Sequence, residues 1–192
     1  MITRMLRRIA GVMMVAVLCA GCTGLQWGRA DSDATITSPK DAYVVFGVQP
    51  ELAKVSLFVG EFLSGSFKQD RLPSASFIGF PEDGYVVTRV SPDTAYAVTY
   101  VTLYATGNEL LVPPLVPCAG AKTIAFKVPA GKVLYVGDVK YLKAGSGAVP
   151  EFSAKFDTAK RYMDTHYPNL SRNLTDGGLQ LATVNSEGCA RY

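Results

Sequence analysis

The chain has 192 residues and a formal net charge of +3, from 19 Lys and Arg side chains against 16 Asp and Glu. The excess lies in Arg4, Arg7 and Arg8, so from residue 22 onward the charges balance and the electrostatic ground for a nucleic-acid partner disappears. A single histidine excludes a metal centre of several imidazoles, and the roughly 170 residues beyond the first segment suit one domain with a real core.

Residues 1–21 hold those three arginines and no acid, then an apolar run from Ile9 to Ala20 interrupted by Gly11, then the small pair Ala20-Gly21. That is the layout of an export signal. About 12 residues of helix rise roughly 18 Å against about 30 Å of hydrocarbon, too short for a stable span. Leu18-Cys19-Ala20-Gly21-Cys22 then resembles the lipobox of bacterial lipoproteins, although Cys19 stands where that family usually has Leu and Leu18 lies one position further back. A free thiol behaves as a small hydrophobe, so the box tolerates it. The resemblance implies cleavage before Cys22, acylation of its sulfur and the membrane as a partner through the lipid. Thr23, where Asp would retain such a protein at the inner membrane, implies the outer membrane of a bacterial envelope, facing the periplasm.

Residues 22–41 are small and polar, with one isolated tryptophan, Trp27, and read as a tether carrying the lipid. Residues 42–192 read as the domain. Short β-rich runs begin at Ala42–Val48 and Lys54–Phe62, the second ending at Ser64-Gly65-Ser66. Ser74–Phe80 and Tyr85–Val90 flank Pro81-Glu82-Asp83-Gly84, whose Asp-Gly supplies the positive φ of a hairpin. Ala95–Tyr104 follows, then Glu109–Val112. Lys122–Val128 and Lys132–Tyr141 flank Pro129-Ala130-Gly131 and predict the chain's best-marked hairpin. After a Gly- and Ser-rich loop at 144–147, Phe152, Ala154 and Phe156 alternate as a last strand. Asp157 is placed to cap a helix over Thr158–His166, with Pro168 as its stop and a turn-rich tail from Asn169 onward.

The expected fold is mainly β: an antiparallel β-sandwich with one short C-terminal helix. Residues 42–141 also resemble the small β-sandwiches of poorly characterised bacterial lipoproteins, through the strand, the Pro-Ala-Gly turn and Lys132-Val-Leu-Tyr-Val-Gly137. That resemblance implies an envelope domain without assigned chemistry and carries over no functional residue.

With Cys19 removed and Cys22 acylated, Cys118 and Cys189 are the thiols that remain. In an oxidising compartment they read as one disulfide closing a loop of about 70 residues, a contribution of roughly 4 kcal/mol; two buried free thiols are the alternative. His166 near a helix end more often faces the helix dipole than performs catalysis, and no Gly-x-Ser-x-Gly elbow accompanies it. Glu61, Glu82, Asp83, Asp93, Asp138 and Glu151 read as solvated acids at strand edges and loops. The constellation that stands out is Tyr96, Tyr100 and Tyr104, which a strand places on a single face. Exposed, they are a binding face for a protein or a cell-wall glycan; buried, they fill the sandwich. No cofactor is implied. The functional expectation is a non-catalytic binding or assembly module of the envelope, with a hydrolase using acids and His166, or a purely structural role, as alternatives.

Overall fold

Alternation in the β-rich runs sets which side chains turn inward, and the computed structural model, which describes residues 28–70, 75–106, 109–117 and 120–184, shows what they turn toward. Its strands are β1 (Tyr43–Gln49), β2 (Ala53–Leu63), β3 (Ser66–Gln69), β4 (Ala75–Gly79), β5 (Tyr85–Arg89), β6 (Ala95–Thr106), β7 (Glu109–Leu110), β8 (Lys122–Lys127), β9 (Val133–Ala144) and β10 (Gly147–Ser153). Helices α1 (Phe156–His166) and α2 (Pro168–Ser171) follow, then β11 (Leu174–Asp176) and β12 (Leu181–Val184).

One sheet runs β10-β9-β1-β5, with β11 beside the start of β9. The other contains a closed ring, β2-β3-β12-β8-β6 and back to β2, with β4 added on β2 and β7 on β6. Val44, Phe46, Leu57, Leu103, Ile124 and Phe126 pack between the two sheets with other apolar side chains to make the main core. The opposite face of the first sheet is covered by the helices: Val45, Tyr135 and Leu174 meet Ala159, Met163 and Leu170 there.

The expectation of a mainly β domain holds, but that of a simple antiparallel sandwich does not. β1 and β11 run parallel to β9, β12 runs parallel to β3, and five strands close into a small barrel. Two helices follow β10 rather than one, although α2 is a single turn opened by Pro168, the residue expected only to stop α1. Asp157 lies in the first turn of α1 beyond an N-cap at Lys155, where it favours the dipole without capping. The tail supplies β11 and β12, too short for a pattern to reveal. Among the described residues no helix is long and apolar enough to cross a membrane.

Both predicted hairpins are real turns that join different sheets. Asp83 and Gly84 take φ of 47° and 84°, and Glu82 and Tyr85 exchange two backbone bonds across them, yet β4 pairs with β2 and β5 with β1. Gly131 has φ of 71°, but β8 lies in the barrel between β6 and β12 while β9 pairs with β1. The chain arches over the core at both places. The tight hairpin of the barrel is β2–β3, turned at Ser64-Gly65 with Leu63 opposite Ser66.

Five strands enclose little space. The barrel interior holds the ring of Phe67 with Ala95, Ala97, Ala125 and Ala182, all buried. A Cβ at Gly60 would collide with the Lys68 carbonyl and the Phe67 ring, so glycine is required there for close approach.

Candidate functional site

Two β-bulges decide where chemistry-bearing side chains point. In β6 the pairing with β2 slips by one residue at Thr99, so Ser56 opposes Tyr100 while Leu57 opposes Val98. The Val98 carbonyl, at the point where β6 leaves β8, is taken by the Thr123 hydroxyl at 2.6 Å. The slip inverts the parity of the strand. Tyr96 is buried in the main core, its ring 5.9 Å from that of Phe126 and its hydroxyl accepting from Ser91 N at 3.0 Å. Tyr100 and Tyr104 lie on the outer face of the barrel sheet: Tyr100 is 39 % exposed, and Tyr104 packs on Phe80 at 5.7 Å. The tyrosine stripe is thus divided, with one ring structural and two at the surface.

The second bulge is in β9. Val45 of β1 faces Tyr135 and Gly47 faces Asp138, so β9 carries one extra residue, at Val136-Gly137, with Gly137 at φ 108°. Asp138 is thereby brought onto the helix-side face of the sheet, where its carboxylate lies directly over Gly47. A Cβ at Gly47 would collide with Asp138 Oδ1. The Tyr135 hydroxyl donates to Asp138 Oδ2 at 2.7 Å and accepts from Lys155 N at the start of α1, also at 2.7 Å. Oδ1 is buried and, among the described residues, has no hydrogen bond. Burial raises the Asp138 carboxyl above the ordinary carboxylate value, against the pull of the Tyr135 hydroxyl, Lys155 and Ser153.

This carboxylate lines a cleft of about 430 Å³ between the Asp83-Gly84 turn, the end of β1, the middle of β9, the end of β10 and the first turn of α1. Glu151, Ser153, Lys140, Lys155 and Thr158 also line it. Ser153 opposes Asp138 and Glu151 opposes Lys140 across the β9–β10 ladder. Three acids read from sequence as solvated and unrelated, Asp83, Asp138 and Glu151, therefore share one cleft. The signal for Asp138 was Gly137, an isolated glycine inside a strand pattern.

His166 does not line the cleft. It stacks on Tyr162 with ring centroids 4.4 Å apart, and its Nε2 stands 3.6 Å from Asp83 Oδ2. Among the described residues it bonds no Ser or Thr hydroxyl, and no group of three or more His, Cys, Asp and Glu could hold a metal ion. Burial also raises the hydroxyls nearby, Tyr85 up to about 12, with Asp138 adding to the effect. Cys22, Cys118 and Cys189, and the signal segment 1–21, lie outside the described residues.

The raised Asp138 carboxyl has a stability consequence. The folded state holds this proton more tightly than the unfolded chain, so the group stabilises the fold below its unfolded value near 3.8, and that contribution is lost as pH rises through the folded value. Asp138→Asn keeps an acceptor for Tyr135 without the charge. Unfolding free energies measured in urea should show the variant at least as stable as the parent at pH 7, with their difference shrinking toward pH 4. A difference that does not change with pH would refute the assignment.

Comparison with known proteins gives no match: no family model, no curated protein and no solved structure is similar to this chain.

Proposed function

We propose that the chain is a lipid-anchored envelope protein that binds its partner without turning it over, and that the cleft beneath α1 takes a hydroxyl-rich ligand, a cell-wall glycan. The observation that carries this reading is the cleft's lining, where Ser153, Thr158, Lys140, Lys155, Asp83 and Glu151 offer donors and acceptors together. Such a mixed set satisfies hydroxyls from several directions. His166, outside the cleft and, among the described residues, without a Ser or Thr hydroxyl bonded to it, favours binding over hydrolysis.

The anchor half of the proposal rests on the Leu18–Cys22 box. The Cys118–Cys189 disulfide is favoured by the course of the chain: Val184 N bonds Ala121 O at 3.0 Å, three residues from Cys118 and five from Cys189. A bridge there would latch β12, the strand that completes the barrel.

Titrating soluble cell-wall glycan fragments into isotope-labelled protein should shift the amides of Gly84, Ser153 and Thr158. Ser153→Ala with Thr158→Val should weaken binding about ten-fold, two hydrogen bonds at roughly 0.7 kcal/mol each. Shifts confined to other surfaces would refute the cleft. Shortened glycan products would instead favour the hydrolase using acids and His166.

A further inference from the structure

We infer that the outer face of the barrel sheet rests on the surface of the membrane that anchors the chain; the inference rests on the acylation of Cys22 proposed above. This face is a shallow groove of about 520 Å³ whose lining includes Lys54, Phe58, Ile78, Tyr100, Tyr104 and Leu110. Ile78, Tyr100 and Leu110 are 39 %, 39 % and 49 % exposed, and neighbouring Phe80 is 40 % exposed. Among the described residues, one cation and no carboxylate line the groove. Tyrosines with apolar neighbours and a lysine are the composition that settles at a bilayer interface, rings at the headgroup level and ammonium toward phosphate.

The course and length of the N-terminal segment name lipid as the occupant. Ala30 N bonds Val87 O along the free edge of β5, the Gly28 carbonyl accepts from Thr88 Oγ1, and Arg29 Nη2 donates to the Phe80 carbonyl. The described chain therefore begins beside Phe80, whose ring packs on Tyr104 of the groove. Five residues, 23–27, join Gly28 to Cys22, and fully extended they reach about 20 Å. That is less than the breadth of roughly 35 Å expected of a domain this size. An acylated Cys22 thus holds the β4–β5 edge close to the headgroups, and of the two faces that meet at that edge the groove is the one that offers exposed rings and an ammonium, the other being covered by the helices. With the groove against lipid, the cleft beneath α1, on the opposite face, opens away from the membrane.

The test uses the full-length protein, purified from membranes and reconstituted into phosphatidylcholine vesicles brominated along the acyl chains. In a Trp27→Phe background, Tyr100→Trp places an indole in the groove and Val149→Trp places one on the opposite face, where Val149 is 53 % exposed. Mass spectrometry of the same samples reports acylation at Cys22. The expected result is acylated protein in which the Tyr100→Trp indole loses most of its emission and the Val149→Trp indole keeps it. Acylated protein with both indoles equally bright, or equally quenched, would overturn the docking and leave the anchor standing. Protein without acyl groups would remove the anchor reading and this inference with it. A blue shift of the Tyr100→Trp indole that grows with protein concentration in the absence of lipid would assign the face to a second copy and overturn the lipid assignment.

Discussion

Phe67→Ala should cost about 4 kcal/mol, near the upper part of the range for a buried ring, because the space it leaves cannot close. The ring is fully buried inside the barrel among Ala95, Ala97, Ala125 and Ala182, with Gly60 pressed against it. Each of these neighbours is too small to swing inward. The wall cannot contract either, since β2, β3, β12, β8 and β6 are joined in a continuous ring of pairings and drawing them together would break the ladder. The cavity should stay apolar and dry, so benzene or xenon should bind the variant and restore part of the lost stability. Equilibrium unfolding in urea, with and without benzene, measures both effects. If Phe67→Ala proves too unstable to purify, Phe67→Leu leaves a smaller void and should fall by about 1–2 kcal/mol. A loss below about 1 kcal/mol in the alanine variant, within the ordinary run of substitutions, would mean that the ring does not prop the barrel.

The residues that make the barrel possible were visible in the sequence as residues, but their joint purpose was not. Alternation in β6 and β8 identifies Tyr96, Val98, Ile124 and Phe126 as one buried set and the alanines between them as another. Nothing local says that the alanine side closes on itself around Phe67, because closure depends on β12, a four-residue strand at the far end of the chain. The same limit explains the two misassigned hairpins. Asp83-Gly84 and Gly131 specify positive φ, a property of a few residues, whereas strand partners are settled by competition across the whole fold. Parity fails where a bulge intervenes: Tyr96 and Tyr100 share a face only if Thr99 is not an extra residue, and it is. The cleft was hidden for a related reason, since Asp138 joins Asp83 and Glu151 only through the extra residue at Val136-Gly137.

Composition misled most over residues 28–41. Polar and small, they read as part of a tether, yet Ala30, Ala34 and Ile36 pack on the helix-side core and Asn169 Nδ2 donates to the Asp33 carbonyl. The residue that holds them is Asp41, 4 % exposed. Its Oδ2 accepts from the amides of Thr37 and Ser38, both at 2.8 Å, and from the Thr37 hydroxyl at 3.0 Å, while Oδ1 accepts from Arg89 Nη2 at 2.5 Å. A carboxylate three and four residues after Ser and Thr was the available signal, and its meaning depends on Arg89 arriving from β5.

Asp41→Ala should therefore remove about 3 kcal/mol, since it deprives two amides and a hydroxyl of their charged acceptor and ends the Arg89 ion pair. Asp41→Asn keeps an acceptor but loses the charge and sets an amide N–H against other donors, so it should lose about 2 kcal/mol. Burial opposes the charged form of Asp41, yet the Thr37 and Ser38 amides, the Thr37 hydroxyl and Arg89 outweigh it and hold the carboxyl below the usual carboxylate range. A folded value below the unfolded one gives stability that is present above about pH 4 and lost as pH falls through the folded value. The parent should thus lose, on acidification, a contribution that both variants already lack. Hydrogen exchange supplies the local readout: the Ala30 amide, bonded to Val87 O at 2.8 Å, should exchange far faster in the variants while amides of β1 and β9 fall only with global stability. Losses within about 0.5 kcal/mol and an Ala30 amide still protected would place the hold on residues 28–41 elsewhere. Under the proposed acylation of Cys22, releasing this segment would also change the reach of the anchor. With Cys22 acylated as proposed, the stretch between it and the packed domain would grow about three-fold in contour length when residues 28–41 detach, enough to let the domain turn above the bilayer. If the proposed anchor and docking hold, Asp41→Ala should then weaken the bilayer quenching of a Tyr100→Trp indole without touching the groove, and one buried carboxylate would couple the stability of the fold to its orientation at the membrane.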